Sequence, residues 1–199
     1  MSAIRLRGAT SGTTDVVAAA IAGDGVLTLP SGTGTLATTA FVNTAVAAGG
    51  KVLQVVSVTK VDTFTTTSTS FTDVTGLSAN ITPTSATSKI LILSKVAVNN
   101  DGNSRGSIRL LRGATEVGSG TAAGSTPAAM SALYVNEIQM TADLSGNYLD
   151  DPETLSEITY KIQIKTNSGT VRVNTVANAV DSSSNSRTSS TITLMEISA

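Results

Sequence analysis

The sequence predicts an all-β chain: an antiparallel two-sheet sandwich, jelly-roll-like, over residues 51–199, preceded by an extended N-terminal arm with one short helix over residues 1–50. Three observations lead there. From Lys51 onward, apolar residues recur with period two and are rich in β-branched side chains, the signature of half-buried strands. Clusters of Gly, Asn, Asp and Ser separate these runs at short intervals, as turns between strands require. The first 50 residues are Gly/Ser/Thr/Ala-rich and hold too few large apolar side chains to bury a core of their own, so they need a partner surface to fold against.

Each element follows from its residues. In Val52–Thr59, Val52, Gln54, Val56 and Val58 share a face, and the polar Gln within it marks an edge or interface. Phe71–Leu77 alternates imperfectly, with Asp73 and Gly76 placed for a bulge. Ser88–Asn99 is the strongest strand. Ile90, Ile92, Ser94, Val96 and Val98 lie on one side, Lys89, Leu91, Leu93, Lys95 and Ala97 on the other, and apolar residues on both sides predict a central position. Asn99–Asn103 contains Asp-Gly and reads as a turn into Ser107–Arg112, with Gly113–Val117 returning as a short partner. Gly118–Pro127 reads as a loop, and Leu133–Met140 and Ile158–Thr166 as strands. Asn167-Ser168-Gly169 predicts a hairpin into Val171–Asn174. Ala179–Asn185 is a polar loop, and Thr191–Ile197 closes the domain. These eight to ten short strands are the pattern of a sandwich. In the arm, Ala3–Arg7 and Val26–Pro30 are brief strands that cannot make a sheet alone. Thr38 or Thr39 caps a helix over 40–48, stopped by Gly49. Phe41, Ala45 and Ala48 would form a narrow seam in a three-chain bundle.

Composition excludes several functions. The chain has no His and no Cys, which removes Ser/His and Cys/His nucleophiles, thiolate or imidazole zinc sites, and a disulfide framework. A net charge of -1 with 14% charged residues offers no clustered cationic grip for nucleic acid or anionic lipid. Apolar runs such as Ile90–Leu93 are far too short for membrane insertion. Asp15 and Asp24 flank Val16–Ala22, unlike the apolar region of a signal peptide. With aromatics at 3% and no Trp, Val, Ile and Leu must supply the core.

The residue clusters whose side chains suit chemistry have simpler readings. Asp150, Asp151 and Glu153 are the one tight acidic group, but Pro152 interrupts them and a calcium-loop spacing is missing, so they read as a solvated turn. Gly32-Thr33-Gly34 lacks the Lys and Ser/Thr of a phosphate loop and reads as a hinge. Arg109 and Arg112 differ in parity, which argues against one basic stripe with Arg105. Tyr134, Tyr148 and Tyr160 suit core or interface anchors better than a sugar platform. No catalytic residues, cofactor or metal site are expected, and the chain reads as a non-enzyme.

Specific segments resemble a family. Ile4–Gly12, Val26–Leu36 and the collar-like Ala40–Val46 resemble the N-terminal parts of tailed-bacteriophage fibre and appendage proteins. The head resembles a domain frequent in phages of aquatic bacteria, including cyanophages, through Val55–Thr59, Thr65–Val74, Ser88–Leu93, Arg109–Thr115, Tyr160–Val173 and Ser190–Ile197. The resemblance carries no active-site motif. It implies a homotrimeric virion structural protein at the virion surface, assembled in the host cytoplasm. Its partners would be sister chains, a major capsid or other virion protein gripped by the arm, and, in a fibre role, a host-surface glycan. Because no shaft repeat separates arm from head, a capsid decoration or cement protein is the first expectation. A short tail or head fibre is the alternative, and a carbohydrate-binding module or depolymerase comes after it. Ile4, Leu6, Val26, Leu27, Leu29, Leu36, Phe41 and Ala45 are the candidate trimer and attachment contacts.

Overall fold

Alternation of branched apolar with polar side chains sets the strands of the computed structural model, which describes residues 3–7, 13–17, 52–135, 139–178 and 185–199. The chain divides into two units, Met1–Val46 and Ala47–Ala199. In the first, β1 (Ala3–Arg7) pairs antiparallel with β2 (Thr13–Val17). The expected strand at Val26–Pro30, the helix over 40–48 and the Gly32–Gly34 hinge lie outside the described residues.

The second unit holds β3 (Val52–Lys60), β4 (Phe64–Thr66), β5 (Thr72–Ile81), β6 (Lys89–Asn100), β7 (Ser104–Arg112), β8 (Thr115–Val117), β9 (Ser131–Val135), β10 (Ala142–Asp150), β11 (Ile158–Thr166), β12 (Val171–Val173) and β13 (Ser190–Ile197). Their pairing is nested: β3 with β13, β5 with β11, β6 with β10, and β7 with β9, all antiparallel. Such nesting is the path of a long hairpin rolled into two sheets, the jelly-roll arrangement. One sheet runs β3-β13-β6-β10, and the short β12 and β4 continue alongside the far end of β6. The other runs β5-β11-β7, with β8 and β9 sharing the remaining side of β7.

The core lies where the inward faces meet. Ile90, Ile92, Ile192 and Leu194 from the first sheet pack with Leu77, Ile108, Leu110, Tyr160, Ile162 and Ile164 from the second. Each fully buried aliphatic side chain contributes roughly 1.5–3 kcal/mol, so the core is built without Trp. β6 is central as its two-sided apolar pattern predicts, with β10 on one side and β13 and β12 on the other. The bulge expected near Asp73 and Gly76 is present: the β5–β11 register shifts between Lys161 and Gln163, and Gly76 has φ +80°.

Two expectations change, and one strand is new. β12 does not form a hairpin with β11 but crosses to the opposite sheet, between β6 and β4. Asp101, in the β6–β7 turn, holds it there by accepting hydrogen bonds from Thr170 N (2.8 Å) and Arg172 Nη1 (2.6 Å). β10 is a full strand that its Ser-Gly-Asn content conceals. A Cβ at Gly146 would meet the Met130 side chain, which packs over it and would have to shift. The strand expected over Leu133–Met140 is instead β9, which ends at Val135; residues 136–138 lie outside the described residues.

A buried polar knot joins the strand ends of the first sheet. Asn174, in a left-handed conformation (φ 62°), donates from its amide side chain to the carbonyls of Lys60 and Asp62, both at 2.9 Å. Ser190 Oγ donates to Asn174 Oδ1 (2.7 Å) and accepts from Ala97 N (3.0 Å). Lys60, Ala97, Asn174 and Ser190 are buried, so their polar groups need partners within the protein, while Asp62 lies at the exposed end of the knot.

Candidate interaction surface

The two outer faces of the sandwich differ in chemistry. On the β5-β11-β7 sheet, charged and polar groups interlock. Lys161 Nζ and Gln163 Nε2 donate to Asp73 at 2.8 and 2.6 Å, and Arg109 reaches Gln163 and Glu116 at 2.8 and 2.9 Å. The bonds from Lys161, then Gln163, hold the Asp73 carboxyl below its ordinary range. Arg109 and Lys165 both sit over the Phe71 ring, at 4.4 and 5.3 Å from its centre. These groups partner one another across the face, while Glu116 Oε1 is buried without a hydrogen bond.

The outer face of β3-β13-β6-β10 carries an apolar row instead. Register places Val55 beside Met195, Met195 beside Leu91, and Leu91 beside Leu149, one residue from each strand. The row below it is Ser57, Thr193, Leu93 and Asn147, and the next is Thr59, Thr191, Lys95 and Ser145. A bulge between Glu196 and Ile197 brings Val52 beside Ile197, extending the apolar band toward the start of β3. Val55 and Leu149 are 55% and 51% exposed, and Val52, Leu53 and Leu93 are exposed as well. An open depression of about 680 Å³ lies beside the band, lined by Leu93, Lys95, Asn147, Thr191 and Thr193 among others. At the rim, Lys89 faces Asp151 (3.4 Å) and Lys95 faces Asp143 (3.6 Å), so the ionic groups offset one another.

Beneath this face, Glu196 points inward and is fully buried. Its Oε2 accepts from Gln54 Nε2 (2.6 Å), and its Oε1 accepts from Thr84 N and Thr84 Oγ1, both at 2.7 Å. Burial acts to raise its pKa, but the donors outweigh it and hold the carboxyl down to about 2. Gln54 therefore has an internal partner, and of the two positions its polar side chain indicates, the edge is the one β3 occupies.

The acidic group at 150–153 is not a simple solvated turn. Asp150 is buried and accepts from Tyr160 Oη (2.5 Å) and from Arg112 Nη1 at 3.1 and 3.0 Å, while Asp151 faces Lys89. Burial, and then the Asp150 carboxylate, push the Tyr160 hydroxyl above its usual range. Among the described residues no group of three or more Asp or Glu converges on a cation site. The tyrosines are dispersed: Tyr160 lies in the core, Tyr148 packs against it, and Tyr134 is exposed beneath Arg105. Arg105, Arg109 and Arg112 serve three separate contacts.

Of the expected arm contacts, Ile4 pairs with Val16 and Leu6 with Thr14 across the β1–β2 ribbon. Val26, Leu27, Leu29, Leu36, Phe41 and Ala45 lie outside the described residues. Sequence reading missed the outer apolar row, although Leu91 and Leu93 on the second side of β6 were its signal.

The sequence matches no protein-family model, and no curated protein matches it. Similar solved structures come from infectious bursal disease virus. The Gx strain structure has a TM-score of 0.39 and 16% identity, covering 73% of this chain and 36% of that one. A VP2 subviral particle gives 0.38 and 14%, covering 72% and 41%. The Gt strain structure gives 0.41 and 12%, covering 96% and 48%. The chain thus spans less than half the length of these proteins.

Proposed function

We propose that this protein is a structural component of a virion, a homotrimeric capsid decoration protein whose arm, residues 1–50, attaches to the shell while the sandwich is displayed. The observation that carries the reading is the nested jelly-roll pairing, an architecture used by viral capsid and lectin domains, combined with a broad apolar outer face. The resemblance of Ile4–Gly12 and Val26–Leu36 to phage appendage arms supports attachment through the N-terminus. The role is architectural rather than catalytic. Gold-labelled antibody against the sandwich, applied to intact particles, tests the placement. Label over the capsid is expected; label confined to the tail would move the protein to a short fibre, and unlabelled particles would end the virion reading.

A second reading, recognition of a host-surface glycan, is favoured by one observation. Tyr134 is half exposed, its hydroxyl donates to Asn103 (3.0 Å), and Arg105 lies 5.5 Å from the ring centre. A glycan array probed with the wild type and Tyr134→Ala tests it, and equal signals from both would remove Tyr134 from recognition.

A further inference from the structure

We propose that copies of this chain associate through the outer face of the β3-β13-β6-β10 sheet, with the row Val55–Met195–Leu91–Leu149 at the centre of the contact. The inference deepens the reading of the protein as a self-assembling particle component by assigning the surface on which sister chains meet.

Three features select a second copy as the occupant. The first is area. Val52, Leu53, Val55, Leu93 and Leu149 together leave on the order of 400 Å² of apolar surface open, within the range of about 300–600 Å² that the largest patch of a monomer reaches and that is often functional. With the Ser, Thr and Asn rows beside it, a face four strands wide, ~19 Å across, approaches the ~800 Å² per partner of a stable interface. The second is charge. The Lys89–Asp151 and Lys95–Asp143 pairs leave the rim with no net charge, so one copy does not repel another. A strongly acidic or basic partner finds no counter-charge there. The third is the edge. Among the described residues β3 pairs only with β13, and it carries Val52, Leu53 and Val55, all exposed and none of them charged. Edge strands that remain in water are normally protected by charge or proline. The opposite outer face, with its interlocked Asp73, Lys161, Gln163 and Arg109, lacks such a band.

The test measures the mass of the full chain by sedimentation and light scattering across a dilution series, for the wild type and for Val55→Asp/Leu149→Asp. Both positions are exposed, so the double variant is expected to keep the cooperative unfolding of the sandwich. The expected result is a wild-type oligomer and a double variant whose association is ~100-fold weaker or more, because two unpaired charges would enter the contact. A folded double variant with wild-type mass would overturn the assigned face while leaving a trimer possible through the arm. A wild type that stays monomeric at high concentration would overturn face and trimer together, without touching the particle-labelling test. If the double variant fails to fold, Val55→Cys supplies the measurement, since the chain has no other cysteine. Slow maleimide reaction that quickens on dilution supports the contact, and concentration-independent fast reaction refutes it.

Discussion

Replacing Glu196 with Gln tests whether the buried carboxylate holds the β5–β6 connection to the sheet through its charge. The substitution keeps the shape but changes the hydrogen-bond inventory. One oxygen can still accept from Thr84, yet the new amide nitrogen would meet the Gln54 amide nitrogen, now 2.6 Å from Oε2. Gln54 can present its oxygen only by giving up its bond to the Thr82 carbonyl (2.7 Å). The loss is one charge-assisted bond plus a mismatched buried donor, about 2–3 kcal/mol. For a domain of this size that lowers Tm by ~5–10 °C at neutral pH.

The pH dependence separates charge from packing. The ordinary glutamate value is 4.5 and the folded value is about 2, so the folded state favours the ionised form. This contribution is fully present above pH 4.5 and is lost progressively as pH falls toward 2, because the unfolded chain takes up the proton first. The gap in Tm between wild type and Glu196→Gln, measured by scanning calorimetry from pH 7 to pH 2.5, should narrow through that window. A gap that stays constant with pH, or a variant as stable as the wild type at pH 7, would refute the charge-based account.

Tyr160→Phe removes the donor to Asp150 while leaving the ring in the core, and should cost about 1.5–3 kcal/mol in denaturant unfolding; a loss below about 0.5 kcal/mol would reduce the bond to an ordinary surface contact. Gly146→Val should cost roughly 1–3 kcal/mol by overpacking against Met130, and Met130→Ala should partly rescue it in a double-mutant cycle. Additive losses would show that Met130 is not the obstacle. Ser190→Ala deprives Asn174 Oδ1 of a donor and Ala97 N of an acceptor, so hydrogen exchange at the Ala97 amide should accelerate and stability should fall by about 1–3 kcal/mol. Unchanged exchange at that amide would count against the polar knot.

Much of the sandwich was legible because period-two alternation reports directly on a sheet with one buried face. Ile158–Thr166 and Thr191–Ile197 are such strands, with inward residues buried and their neighbours partly open. Where alternation and turn chemistry disagreed with tertiary pairing, the reading failed. β10 contains Ser145, Gly146 and Asn147, poor strand formers, yet it pairs with β6 from Ala142 to Asp150 and accommodates Met130 over its glycine. The turn at 167–169 resembles a hairpin turn, but its partner choice depends on Asp101, distant in sequence and unannounced by any local signal.

The candidate surface was hidden for a different reason. Apolar residues on both sides of β6 are compatible with a strand covered on two faces within its own chain and with one that awaits a partner. The structure separates these cases for the described residues, since Leu93 is 39% exposed while Ile92 is fully buried. Register then turns scattered exposed side chains into one row, because Val55, Met195, Leu91 and Leu149 come from four strands distant in sequence and meet only when the pairs are aligned. Gln54, whose place within an apolar face marks an edge or an interface, lies on the edge strand β3 and pairs internally with Glu196 once β3 and β13 adjoin. In this fold an exposed apolar row is therefore a property of pairing, which the pattern of one strand does not show.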